Sequence, residues 1–525
     1  MESPSLPFQQ NIMKLIISII LITLPILLSA QIKGDYIWIG GYEESLDHDL
    51  RDGFFIDFNQ KPKKIEYQRL IYGSVSSNTA ISNENGELLF YSNGRGVFNA
   101  EHQLMPNGDS LNWGLFAEWA WPDPGYGYPG FQDMIILQDP GYEDGFYLLH
   151  KYIEMNMQGQ TRRELWMSYI DMQLDNGRGD VVKKNETLYN DRVPLTAYLT
   201  AIRHQNGKDW WVVHPIEEDS IFLTFLIDET GIHRQEYQST GHYFTRFRSS
   251  ASGTARFCPY GNRYAIYNYY DQLHLYDFDR ETGRFSNHQI VEIYDPGSIQ
   301  WDLIFFGSVE WSPNGRFIYT SSSEDLFQVD TWEEDLQDGV RHIDTYNGTL
   351  DPFPTSLFLM VQAPDCKIYM TPKNGSYSIH VINEPDKLGK DCDFVQNAIS
   401  LPSTNGGTFP NFPRFRVDEE EKCDPTISSI FGQAVYYRRD IKAYPNPTSG
   451  PLTLEIPEDF TKGTLEIIDL RAGTVHREKL DYPHERFSLD IGHLPTGIYH
   501  IELYPEENTE RVFYGARVVL NSRSH

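Results

Sequence analysis

The chain has 525 residues and a formal net charge of −30, and it is longer than the size at which one core stops growing, so two or more domains are expected. Hydrophobic residues make up 40 % and aromatics 14 %, with 40 Gly and 30 Pro, the balance of strands joined by tight turns, which predicts an all-β fold. The acidic balance lacks the basic footprint of a nucleic-acid binder and repels anionic lipid, which excludes both as partners on electrostatic grounds.

From Met13 the chain reads MKLIISIILITLPILLSAQ. One lysine precedes an apolar run from Leu15 to Leu28, and Leu28-Ser29-Ala30 precede Gln31. This layout is a secretory signal peptide over residues 1–30, with Met13 as the natural start. Pro25 and Ser29 interrupt the run too soon for a membrane span, so no transmembrane segment is expected in the mature chain.

The next unit, DYIWIGGYEESLDHDLRDGFFIDFN from Asp35, alternates like strands but carries no Gly-bearing turn between them. Its Asp47-His48-Asp49 offers metal-competent groups, yet adjacent residues on an extended chain point to opposite faces, so a solvated loop is expected and no metal is assigned. ISNENGELLFYSNGRGVFN from Ile81 does put such a turn ahead of an aromatic strand. Then comes EWAWPDPGYGYPGF, residues 118–131, rich in Pro and Gly. Its rings Trp119, Trp121, Tyr126, Tyr128 and Phe131 exceed what a sheet core needs, which makes this loop the candidate ligand surface.

ILQDPGYEDGFYLLHKY from Ile136 and IRHQNGKDWWVVHPI from Ile202 repeat the turn-then-strand pattern. His150, His204 and His214 flank aromatic strands and are expected to be structural. Alternation sends Trp210 and Trp211 to opposite faces, where they would pack between sheets. Three stronger copies follow: RFCPYGNRYAIYNYYDQLHLYDFDRETG from Arg256, VEWSPNGRFIYTSSSEDLFQVD from Val309 and VQAPDCKIYMTPKNGSYSIHVINEPD from Val361. Gly86, Gly145, Gly207, Gly261 and Gly315 recur at intervals of about 54 to 62 residues, a period that marks a β-propeller, whose blades bury their faces by stacking radially. Seven blades are expected over residues 31–420. Six is the alternative, if the first unit shares a blade with a last strand near FPNFPRFRV and so closes the ring.

Four cysteines, Cys258, Cys366, Cys392 and Cys423, permit two disulfides in an exported chain, with the connectivity open. Cys392 with Cys423 could tie the end of the large domain to the next segment. None of the spacings suits a metal site.

SPNGRFIY and APDCKIYM resemble the repeat turn of WD-like propellers in exported Bacteroidota proteins, in which the turn usually carries Asp-Gly. Cys366 stands in the Gly place of one copy, which within that resemblance suggests a disulfide role. A linker over residues 421–440 leads to AYPNPTSGPLTLEIP, and alternating segments to the end predict a small antiparallel β-sandwich over 441–525. Tyr444, Pro445, Asn446, Pro447 and Gly450, then Gly473, then Leu494, Gly497 and Tyr499 closely resemble the C-terminal sorting domain of type IX secretion (Por) substrates. The resemblance implies the type IX machinery as a partner and a protein secreted or attached to the outer-membrane surface.

No phosphate loop, Gly-x-Ser-x-Gly elbow or His-Glu-x-x-His helix occurs. The expectation is a non-catalytic binding module for a glycan or protein ligand, with no cofactor. The alternative is an extracellular polysaccharide- or peptide-degrading hydrolase or lyase whose groups come from different blades; its catalytic residues would be unknown.

Overall fold

The computed structural model describes residues 33–44, 51–244, 253–294, 306–417, 423, 437–457, 460–469, 474–481, 486–505 and 512–521. The signal segment, Asp47-His48-Asp49, Gly473 and most of the 421–440 linker lie outside the described residues.

Seven antiparallel sheets follow one another along the first part of the chain. Their first strands are Ile37–Glu44, Thr79–Ser82, Met134–Gln138, Thr200–Arg203, Gly253–Phe257, Gly307–Trp311 and Leu359–Gln362, and each sheet continues outward in sequence order, except that in the fourth Gln238–Phe244 pairs with Asp219–Asp228 beside Gly231–Arg234. We number these blades 1 to 7. First strands such as Thr79–Ser82, Gly253–Phe257 and Gly307–Trp311 are buried on both faces, whereas the last strand of blade 5, Arg284–Val291, is mostly exposed or half-buried. Burial that falls from the first strand to the last in blades such as 1, 3 and 5 is the signature of blades set round an axis.

The apolar clusters between blades close the circle. Ile39, Leu70, Ala80 and Tyr91 join blades 1 and 2. Phe90, Ile136, Leu148 and Trp210 link blades 2 to 4, and Val213, Phe222, Ala255 and Ile266 link 4 to 5. Tyr267, Val309 and Trp311 join 5 to 6, Tyr319, Met360 and Met370 join 6 to 7, and Trp38, Phe54, Val361 and Tyr369 return from 7 to 1. The result is a seven-bladed β-propeller.

The repeated turn joins the first two strands of a blade. Gly86, Gly207, Gly261 and Gly315 hold φ between +67 and +84°, the left-handed region that glycine enters freely. Gly145 is not their equivalent: it opens the second strand of blade 3, Gly145–Met155, after a longer turn. Cys366 takes the same left-handed conformation, φ +65°, and is bonded to Cys423. The Cys392–Cys423 pairing does not form, and Cys258 and Cys392 are free and buried. Cys392 sits among Tyr319, Ile382 and Ile368 between blades 6 and 7, away from the segment that carries Cys423.

FPNFPRFRV is not a closing strand. Residues 406–417 form no ladder with Ile37–Glu44, and their one bridge is the isolated pair Ile202 and Arg414. Pro410 and Pro413 lack the N–H groups that a ladder needs. The segment instead runs down the axis and bonds to every blade or its entry. Asn411 N–H donates to Asn78 O, and Asn411 Nδ2 donates to Met134 O and Leu199 O at 2.9 and 3.0 Å. Arg256 donates to Asn411 Oδ1, Arg414 donates to Glu310 and Gln362, and Arg416 donates to Asp35. Phe409 and Phe415 send their rings into different inter-blade clusters, and Phe412 between them packs against both and against the cluster of blades 1 and 2.

Two sheets form the C-terminal body: five strands from Tyr437–Asp440 to Val512–Leu520, and three strands Ala443–Tyr444, Pro451–Glu455 and Arg486–Asp490. Leu452 and Leu454 of one sheet meet Leu465, Ile467, Ile501 and Val518 of the other, which makes a sandwich. The pairing is antiparallel except that Tyr437–Asp440 runs parallel to the last strand. Among the described residues no helix is long and apolar enough to cross a membrane.

Candidate functional site

The axial segment separates two ends of the wheel. At the end bearing the glycine turns, a cavity of about 260 Å³ is lined by Tyr260, Pro313, Gln362, Arg414 and the Cys366–Cys423 bridge. Its buried charges are paired within the fold: Glu310 accepts from Arg256 and Arg414, and Asp35 accepts from Arg416. Such pairs hold the segment in place and leave little unmet polarity for a ligand.

The opposite end, the mouth, carries the aromatic loop. Blade 2 ends at Val97–Asn99 and blade 3 begins at Met134, and the chain between them folds back over blades 1 and 2. Gly73 N–H donates to Gly125 O at 2.8 Å and Val75 N–H to Tyr126 O at 3.0 Å. A short π-helix, Phe116–Ala120, lifts Trp119 to 56 % exposure. Trp113, 49 % exposed, donates its indole N–H to Glu118 and covers the Arg95 guanidinium. Tyr126, 36 % exposed, lies on the Arg51 guanidinium, which pairs with Asp123.

The five rings singled out from the sequence divide. Trp119 and Tyr126 are exposed, Trp121 is half-buried with its indole N–H on Gly127 O, and Phe131 is half-buried. Tyr128 is not a surface ring: it is 2 % exposed, and its hydroxyl accepts the Ile153 N–H at 2.8 Å. Phe131 meets Phe358 and Phe306 edge-on at 4.8 and 6.2 Å. Phe131 leads into blade 3 while Phe306 and Phe358 lead into blades 6 and 7, so these rings meet across the axis.

Lys373, in the turn between the second and third strands of blade 7, is a residue the sequence reasoning missed. Its ammonium lies 3.0 Å from the centroid of Phe306 and 5.3 Å from that of Phe131. Burial lowers its pKa to about 8. Nothing local marks it, because the two rings beside it come from distant stretches of chain.

The histidines and tryptophans weighed as ligands serve packing. His150 is buried between Asn112 and Ser168, and its burial lowers its pKa to about 3. His214 is buried with Nδ1 2.7 Å from Pro215 O, and His204 Nε2 lies 3.0 Å from Glu281 O. The indoles of Trp210 and Trp211 donate to Gln138 O and Arg280 O. A stack of His242, His274 and His288 on blades 4 and 5, with His274 Nδ1 2.9 Å from His288 Nε2, gave no sequence signal, since its members are dispersed.

In the C-terminal body, the Tyr444-Pro445-Asn446-Pro447 turn clips onto the last strand. Asn446 donates to Arg517 O and accepts from the Val519 N–H, at 2.7 and 2.8 Å. Gly450 has φ +141°, and a Cβ there would meet Asp490 Oδ1 and the Gly492 backbone within 3 Å. Leu494 packs on the sandwich core, and Gly497 opens the strand Gly497–Pro505. Tyr499 is buried, with its hydroxyl donating to Pro495 O at 2.6 Å.

No curated protein matches the chain. Solved structures similar to it include a protein from Lactobacillus plantarum, at 10 % identity and TM-score 0.34, over 87 % of this chain and 100 % of that one. The Cps50 (Swd1) β-propeller domain of Myceliophteria thermophila aligns at 8 % identity and TM-score 0.32, over 60 % and 89 %. A gluconolactonase from Xanthomonas campestris aligns at 9 % and 0.26, over 65 % and 85 %. The propeller rests on the sheets and clusters above, not on these likenesses. The model of one family, the secretion system C-terminal sorting domain, matches residues 442–512. The clipped sandwich at the end of this chain is therefore a secretion-system sorting domain, and the protein is exported, either secreted or attached to the cell surface.

Proposed function

We propose that the propeller is a non-catalytic recognition module, displayed or released by the type IX machinery, that binds a glycan at its mouth. The observation that carries this reading is the aromatic loop: Trp113, Trp119 and Tyr126 stand exposed on a framework of backbone hydrogen bonds. Flat rings held on a rigid support suit the faces of sugar rings. The axial segment supports the same reading, because the channel in which an enzyme would gather carboxylates from several blades is filled by Asn411 and Arg414.

The test is a glycan and peptide array probed with the purified full chain, every hit then followed for product release by mass spectrometry. Saturable glycan binding without products is expected, weakened about tenfold or more by Trp119→Ala with Tyr126→Ala. Released products would establish the hydrolase or lyase instead, and binding of peptides alone would remove the glycan assignment.

A further inference from the structure

Among the described residues, the mouth also holds two cations with no carboxylate in ion-pair distance, Lys373 and Arg95. Lys151 and Arg256 are buried and Arg414 and Arg416 half-buried, and each faces a carboxylate: Asp133, Glu310, Glu310 and Asp35. Lys373 differs. Among the described residues no carboxylate lies within ion-pair distance of its ammonium, whose neighbours are the rings of Phe306 and Phe131. Under the same loop Arg95 is 2 % exposed; it donates through Nη1 to Trp121 O, while its buried Nη2 finds no acceptor among the described residues. Aromatic faces offset part of the cost of burying a cation, but an anion placed against it offsets more.

These two cations border one loop. Gly375, two residues past Lys373, packs against the Tyr42 hydroxyl, and Tyr42 lies 6.3 Å from Tyr126, ring to ring. Phe131 at the loop's end is the ring beside the ammonium. A ligand stacked on Tyr126 and Trp119 would therefore extend toward Lys373.

We infer that the glycan recognised at the mouth bears carboxylates, as a uronic-acid polymer does, with Lys373 as the counter-charge to one of them. This rests on the glycan reading above and adds the ligand's charge. A uronide is favoured over an acidic peptide because the neighbouring surface offers flat exposed rings, which match pyranose faces.

The test is calorimetric titration of the purified full chain with galacturonic-acid hexamer, its methyl ester, cellohexaose and a hexaglutamate peptide. The acid hexamer is expected to bind about tenfold or more tightly than its ester, the worth of one charge-assisted hydrogen bond. Lys373→Met should lose that factor for the acid and leave the ester unchanged, and Lys373→Arg should retain it. Equal affinity for acid and ester overturns the inference whatever the variants do and leaves glycan recognition standing. Tighter binding of hexaglutamate than of the uronide overturns it in favour of a peptide, and no binding to any saccharide overturns both readings.

Discussion

Cys366 occupies a position where other blades place glycine, and its left-handed backbone costs a residue with a Cβ about 1 kcal/mol. The bond to Cys423, 57 residues on, offsets that cost by tying the end of the axial segment to blade 7. Cys423→Ser is expected to lower stability by about 2–4 kcal/mol, measured by denaturant unfolding, whereas Cys258→Ser, which breaks no bridge, should cost less. Lys373 provides a pH signature. Its folded pKa of about 8 lies below the ordinary 10.5, so the unfolded chain holds the proton more tightly. The burial penalty is fully present below pH 8 and relieved as pH rises toward 10.5. Stability should therefore rise relative to Lys373→Met between pH 8 and 10.5, and the variant should be the more stable protein at pH 7; thermal unfolding across that range checks both. Neither residue declares its role locally. Cys366 stood out only as a departure from a repeat, and Lys373 did not stand out at all.

The axial segment shows how an element can be found in the sequence and still be misplaced. FPNFPRFRV was a candidate for a last strand that closes the ring, but two prolines and a three-residue aromatic period suit a chain that spreads rings among several blades. Burying each of Phe409 and Phe415 contributes roughly 1.5–3 kcal/mol, and the half-buried Phe412 less. Arg414→Ala removes the donor to Gln362 Oε1 and one of the two cations paired with Glu310. It should cost about 3 kcal/mol and reduce the cooperativity of unfolding, read by comparing fluorescence and circular-dichroism transitions. The strands themselves were legible, because period-two alternation and glycine turns are local properties. Blade 1 was the hardest to place, since it lacks the repeated turn and is completed by contacts with residues more than 300 positions away.

At the scale of the whole molecule the two bodies have separate tasks. The sorting-domain family matches residues 442–512, so removing residues 441–525 should retain the propeller in the periplasm, detected by fractionation and immunoblotting. Normal export of that truncation would refute the sorting role. Export was readable from the sequence because signal peptides and sorting motifs are contiguous and keep their residue order. The all-β class and the approximate blade count were readable too, since every blade repeats one local pattern. Which rings face solvent, that the channel is filled, and which half-buried cation has no carboxylate beside it among the described residues were decided only by the tertiary structure. Exposure and charge pairing depend on groups brought together from distant parts of the chain, and the spacing of residues along a sequence carries no record of them.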